Sequence, residues 1–409
     1  MLRACIAAAA LTLAASATAQ ELRKGAPFLL LDEPAQLAAI EAAGHGLAAT
    51  LGAPQAKSNA AMYTASALWR DMAQKIRADV AELESEIVKS GRKLYKVTDG
   101  NVGRIMDLEW LASPIATFSL AAIVNRIDRR DFHELQGENA TCGELRLIHR
   151  LGYEFEDRVR KRRLASRLPF NLNVVYSITR GDDADCKGAA DAFTPGEDIP
   201  AARVADWLTK GPLDRPRLKL KQIELNAQVV RFPSGQETEF GGQAVYLMRI
   251  YGLDGERVIE KTLENTPDVA RLEGDADARK RLVDYVAQNL PAIDRGVYSL
   301  PDDLLAKRAF SFSTYGSARL ANHPFTKLLK ESDFPAQAFA SLDYLRTPRA
   351  LIERLDNSTC MGCHQANATA GFHVIGRDGP RVPSINRVKV GISPHLHAEL
   401  PRRRAWVEA

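Results

Sequence analysis

The sequence predicts an α+β fold, with an N-terminal helix, a mainly antiparallel β-sheet core and a helical C-terminal part. Three observations predict it. Apolar residues recur at helical spacing from Tyr63 to Val88, they do so again from Asp275, and the stretch between is a succession of short runs rich in Val, Ile, Leu and Tyr. Helix-length segments are scarce between those runs, so the strands lack crossover helices and pair antiparallel.

The elements follow in order. Arg3, an apolar stretch from Cys5 to Ala15 and Ala17-Thr18-Ala19 before Gln20 have the pattern of a cleavable secretory signal over residues 1–19. Cys5 would leave with it. That stretch is too short to span a bilayer, and no later segment approaches the ~20 apolar residues a membrane helix needs. No membrane span is expected, and the mature chain is placed in the periplasm or outside the cell. Leu68, Met72, Ile76, Val80, Leu83 and Ile87 fall at steps of three and four, so Tyr63 to Val88 reads as one amphipathic helix with Met72 in the core. Strands are expected at Lys93 to Thr98, Phe118 to Ile127, Glu144 to Phe155, Phe170 to Thr179, Leu218 to Phe232 and Ala244 to Tyr251. Pro200 to Leu208 is the one helix-like segment among them. From Asp275 to Leu290 helix returns, and it continues with breaks at Pro291, Pro301, Pro324 and Pro335. Thr347-Pro348 has the form of an N-cap with proline in the first turn, opening a helix through Leu351, Ile352 and Leu355. Length favours two units, an α+β domain over 20–265 and a mostly helical region over 266–409.

Composition is that of an ordinary globular chain, 45% hydrophobic and 26% charged. The net charge of +4 is too small to imply nucleic acid. Two basic runs, Arg160 to Arg163 and Arg402 to Arg404, read as solvated faces that could help dock an acidic redox partner. The sequence has no Gly-rich phosphate loop, metalloprotease helix motif or serine-nucleophile elbow, so hydrolase and nucleotide-dependent readings lack support.

Chemistry concentrates at Cys360-Met361-Gly362-Cys363-His364, the five-residue attachment pattern of haem c. In this segment the chain resembles the c-type cytochromes. The resemblance implies one covalent haem c, held through thioethers at Cys360 and Cys363, with His364 as the proximal iron ligand. Zinc is the rival reading, with Cys360, Cys363, His364 and His373 as ligands. A thioredoxin-like dithiol is another, although such a pair opens a helix after a strand and here a helix precedes it. Both rivals leave the adjacent His364 to chance. Cys142 and Cys186 are expected to pair in an oxidising compartment, closing a loop of 44 residues. Three Asn-x-Thr tripeptides start at Asn139, Asn357 and Asn367 and would be glycosylation acceptors in a eukaryotic secretory path, but haem c on a secreted chain favours a bacterial source, so they carry no weight.

The second axial ligand decides what such a haem does, because two strong protein ligands favour electron passage and an open position admits a small molecule. No Met follows Met361, unlike the usual small electron carrier. His373 ranks first as sixth ligand, then His395 or His397, then an upstream Met or His, with His323, His149 and His133 available. Arg377, Arg381 and Arg387 could meet the propionates, and Phe372, Tyr344 and Phe339 could pack on the porphyrin. The charge-dense stretch from Asn125 to Arg130 and from Cys142 to Arg146 reads either as a binding face or as surface ion pairs at strand ends. The function expected is electron transfer in the periplasm. The alternatives are a haem-dependent, peroxidase-like oxidoreductase acting on a small-molecule substrate, and a binding or sensing module with structural haem.

Overall fold

Ten strands form one sheet in the computed structural model, flanked by helices before, beneath and after it, so the α+β class is borne out. The structure describes residues 20–89, 91, 94–95, 103–135, 137, 141–180, 186–231, 244–312, 322–361, 374–378, 385, 392 and 394–408. The expected signal at 1–19 lies outside them. The strands are β1 (Leu30–Leu31), β2 (Leu94–Tyr95), β3 (Gly103–Ile105), β4 (Ala116–Arg126), β5 (Thr141–Asp157), β6 (Arg162–Thr179), β7 (Leu218–Arg231), β8 (Ala244–Asp254), β9 (Arg257–Lys261) and β10 (Arg308–Phe312). The helices are α1 (Pro34–Ile40), α2 (Leu47–Thr50), α3 (Asn59–Ala65), α4 (Ala67–Lys89), α5 (Arg130–Leu135), α6 (Lys187–Ala192), α7 (Val204–Lys210), α8 (Val269–Gly274), α9 (Ala276–Gln288), α10 (Leu290–Arg295), α11 (Pro324–Leu328), α12 (Pro348–Asn357) and α13 (Pro394–Glu408). None among the described residues is long and apolar enough to cross a membrane.

The central strands run β4-β5-β6-β7-β8, every pair antiparallel, with β1 beside β4 and with β9 and β10 beside β8. Among the described residues only β2 and β3 pair in parallel. One face of this sheet is apolar. Leu145, Leu147, Leu151, Phe170, Leu172 and Leu225 are buried on it in one core with Trp69, Met72, Ile76 and Val80 of α4. Each such side chain contributes about 1.5–3 kcal/mol on burial. Met72 is fully buried, as its spacing predicts.

The expected single helix from Tyr63 is divided at Ser66. Its backbone is extended, its hydroxyl accepts from the Trp69 N–H at 2.9 Å and donates to the Leu51 carbonyl at 2.6 Å. Ser66 therefore caps α4 and ends α3, a local competition that periodicity does not register. A second helical core follows, built by Leu272, Leu282, Val286, Phe325, Phe339 and Leu355. The expected break at Pro291 is present, since α9 ends at Gln288 and Pro291 lies in the first turn of α10, while Pro324 opens α11; in both places a missing N–H costs nothing. The expected run of helix is instead interrupted by β10, five residues whose pairing to β8 only the folded sheet supplies.

The other face of the sheet positions the site. Along one row of paired residues it reads Ala122, Ile148, Asn173, Glu224 and Ile250, and along the next Ser119, Arg150, Asn171, Asn226, Met248 and Ala309. Polar side chains thus occupy the centre of a face that is nonetheless buried: Asn171, Asn173 and Asn226 are all at most 7% exposed. Apolar patches flank them. One joins Ala122, Val124 and Ile148 to Val374, Ile392 and Leu396, and the other joins Met248, Ile250, Leu263 and Ala309 to Cys360 and Met361.

Candidate functional site

Helix α12 delivers Cys360 to the second patch. The Thr347 hydroxyl caps it by accepting from the Ala350 N–H at 3.1 Å, and Pro348 opens it, as the sequence predicts. After Asn357 the chain is pinned. Thr359 is buried and donates from its hydroxyl to the Asp356 carbonyl at 2.8 Å, and the Cys360 N–H donates to Thr266 Oγ1 at 2.9 Å. The Cys360 sulfur lies 3.9 Å from the Glu264 carbonyl oxygen among Met248, Ile250, Leu263 and Ala309, while Ser311 holds the Met361 carbonyl at 3.1 Å. Burial and the charges of Glu264 and Glu224 push the Cys360 thiol up to about 12, against the Thr266 hydrogen bond and the charge of Arg146. Burial of this kind disfavours the reactive thiolate that a redox dithiol needs. Cys363, His364 and His373 lie outside the described residues, as do Phe372, Arg381 and Arg387.

Beside this patch lies a buried charge network. Glu144 of β5 accepts from Arg146 at 2.8 and 2.6 Å, sits 2.9 Å from His133 Nε2, and lies 3.3 Å from Arg129 and 3.6 Å from Lys221. Arg146 also donates to Glu224 of β7 at 3.0 Å, and Arg129 to Glu264 at 2.6 Å. Burial alone would raise the Glu144 carboxyl, but Arg146, Arg129 and the His133 hydrogen bond outweigh it and hold it well below the usual carboxylate range. The ion pairs expected at these strand ends are present but buried rather than at the surface: Arg126, Arg129, Glu144 and Arg146 are each at most 8% exposed. Lys221, Glu224 and Glu264 were not foreseen. The period-two polar run Gln222, Glu224, Asn226 on β7 is a signal that marks Glu224, whereas Lys221 and Glu264 carry no such pattern.

A cleft of about 910 Å³ opens between the sheet's end and the helical region, lined by Arg126, Arg129, Glu264, Arg354, Ser358 and Trp406 among others. Its cations are largely committed. Arg126 grips Asp128 through two bonds of 2.8 and 3.1 Å, Arg402 reaches the same carboxylate at 3.2 Å, and Arg129 lies over the Phe132 ring at 4.2 Å. A haem edge at Cys360 would meet an apolar wall, with the guanidinium of Arg146 close enough for its charge to act on the sulfur.

Other expected participants are placed elsewhere. Arg377 donates to Asp32 at 2.8 Å, so its charge is already used, and Tyr344 is 69% exposed while Phe339 belongs to the helical core. His149 is buried on the apolar face, where burial pushes it down to about 4 and keeps it neutral. His133 has both ring nitrogens engaged, by Glu144 and by Thr141 at 2.7 Å. His323 Nδ1 lies 3.4 Å from Asp356, and His397 is exposed on α13. Among the described residues no three His, Cys, Asp or Glu side chains gather as a metal-binding group. Cys142 and Cys186 form the expected disulfide, their Cα atoms 5.5 Å apart. Comparison with protein-family models, curated proteins and solved structures finds no match for this chain.

Proposed function

We propose that this chain is an exported protein carrying one haem c, attached at Cys360 and Cys363 with His364 as axial ligand, and that it passes electrons to or from a redox partner. The observation that carries the reading is the Cys360–His364 pentapeptide, whose first cysteine is fixed against an apolar patch on an otherwise polar, buried sheet face. When bound, such a group supplies one-electron chemistry. The residues around it exclude water and set its field. Met248, Ile250, Leu263 and Ala309 wall the attachment point, and Arg146 and Arg129 offer fixed positive charge beyond Glu224 and Glu264. The Cys142–Cys186 disulfide and the signal-like residues 1–19 support export to an oxidising compartment, the periplasm.

A second reading, a haem-dependent oxidoreductase with an open sixth position, is favoured by the 910 Å³ cleft that reaches Asn357 and Ser358, just before Cys360. Carbon monoxide separates the two. Added to the reduced mature protein, it leaves the absorption spectrum of a six-coordinate carrier unchanged, whereas rapid binding would overturn the carrier reading in favour of the oxidoreductase. Haem that comes away in acid–acetone would sink both.

A further inference from the structure

We infer that a pocket at the β4 end of the polar sheet face is a binding site for a carboxylate anion, seated on Arg150. Arg150 lies on β5 directly opposite Ser119 of β4, and both line a pocket of about 220 Å³ together with Thr117 and Arg167. Its Nε is buried without a hydrogen-bond partner, and among the described residues no carboxylate pairs with it. The acids that line the same pocket are each taken by another arginine. Asp378 pairs with Arg167, Asp32 with Arg377 at 2.8 Å, and Glu154 with Arg163. The flanking stretches 362–373 and 379–393 contain no Asp or Glu to supply the missing charge. Burial and the neighbouring Arg167 charge together push the Arg150 guanidinium down to about 10. A half-buried arginine with a buried, unpartnered Nε and no counter-ion among the described residues is costly, and one monoanion relieves the cost.

The chemistry selects the anion. A single uncompensated guanidinium offers two parallel N–H donors, which match the two oxygens of a carboxylate, and the Ser119 and Thr117 hydroxyls lie on the same strand edge. A divalent phosphate would keep a surplus negative charge beside Asp32, Glu154 and Asp378. The volume admits a short organic acid or a carboxylate arm, and excludes a whole porphyrin. The inference stands on Arg150 and its pocket, independently of the haem.

The test is calorimetric titration of the mature protein, as isolated, with propionate and succinate, and with propionamide as the neutral control. The expected result is one carboxylate bound per chain, no propionamide bound, and at least tenfold weaker binding in both Arg150→Gln and Arg150→Met. Unligated Arg150→Met is expected to keep its circular dichroism and to melt no lower than the parent, since it removes an unpaired charge. If the carboxylate arm of a covalent haem already fills the pocket, added acids do not bind, and Arg150→Gln shifts the haem absorption and midpoint potential. That outcome also upholds the site and identifies its source. Unchanged binding in both variants would overturn the inference, as would no binding together with an unaltered haem spectrum and potential. In a protein found without haem, the carboxylate titration alone decides.

Discussion

Glu144 is surrounded by Arg146, Arg129, Lys221 and His133 in the interior, so its carboxylate balances charge that no solvent reaches. Replacing it with Gln keeps the shape and strands the arginines. Chemical denaturation of Glu144→Gln is expected to show a loss of about 3–5 kcal/mol at pH 7. The pH dependence follows from its lowered value. The stabilisation is fully present above the unfolded-state value near ~4.3 and is lost as pH falls below it, so acid unfolding is steeper in the parent than in the variant. Glu41 behaves oppositely. It accepts from the Leu120 N–H at 2.8 Å, but burial dominates and raises its carboxyl to about 7. A raised carboxylate favours folding while protonated, and that contribution is lost between about pH 4.5 and 7. Glu41→Gln, which retains the acceptor, should therefore gain on the order of 1–2 kcal/mol over the parent at pH 8 and nothing at pH 4, as read by paired melting curves.

At the scale of elements, the disulfide ties the first turn of β5 to the start of α6 across a separation of 44 residues. Cys142→Ala combined with Cys186→Ala is expected to cost about 2–5 kcal/mol in denaturant titration, with the β signature of circular dichroism retained in native buffer. This pairing was legible because Cys142 and Cys186 are the two cysteines left once the pentapeptide and the signal-like segment that holds Cys5 are set aside. Five of the six expected strand regions were legible because Val, Ile and Leu clusters survive as strands wherever turn residues separate them; of the sixth, Lys93 to Thr98, the described residues are Leu94 and Tyr95, which form β2. The break at Ser66 was not, since a hydroxyl that caps one helix and ends another leaves the 3.6-residue period intact. Nor was β10: five residues with no turn chemistry of their own become a strand only because β8 offers an edge. The length of β6 was also underestimated, because Arg162 to Arg167 pair with β5 despite a basic composition that reads as loop.

At the scale of the molecule, one sheet separates two environments. Its apolar face packs on the N-terminal helices, and its polar face is buried between two apolar patches, one holding Cys360 and the other Val374. The pentapeptide itself was fully legible in the sequence. What periodicity could not supply is the partner surface, because Glu224, Lys221 and Glu264 reach Arg146, Glu144 and Arg129 only through strand pairing and through the turn at Glu264–Thr266. The same limit explains why Arg377 was expected near a propionate and is instead paired with Asp32. The central claim is that Cys360 and Cys363 hold a haem covalently. Intact-mass measurement of the denatured chain, expressed with a haem-maturation system, tests it most directly. The account predicts a mass increased by one haem in the parent and by none in the Cys360→Ala, Cys363→Ala double variant; a parent chain with no added mass would contradict it.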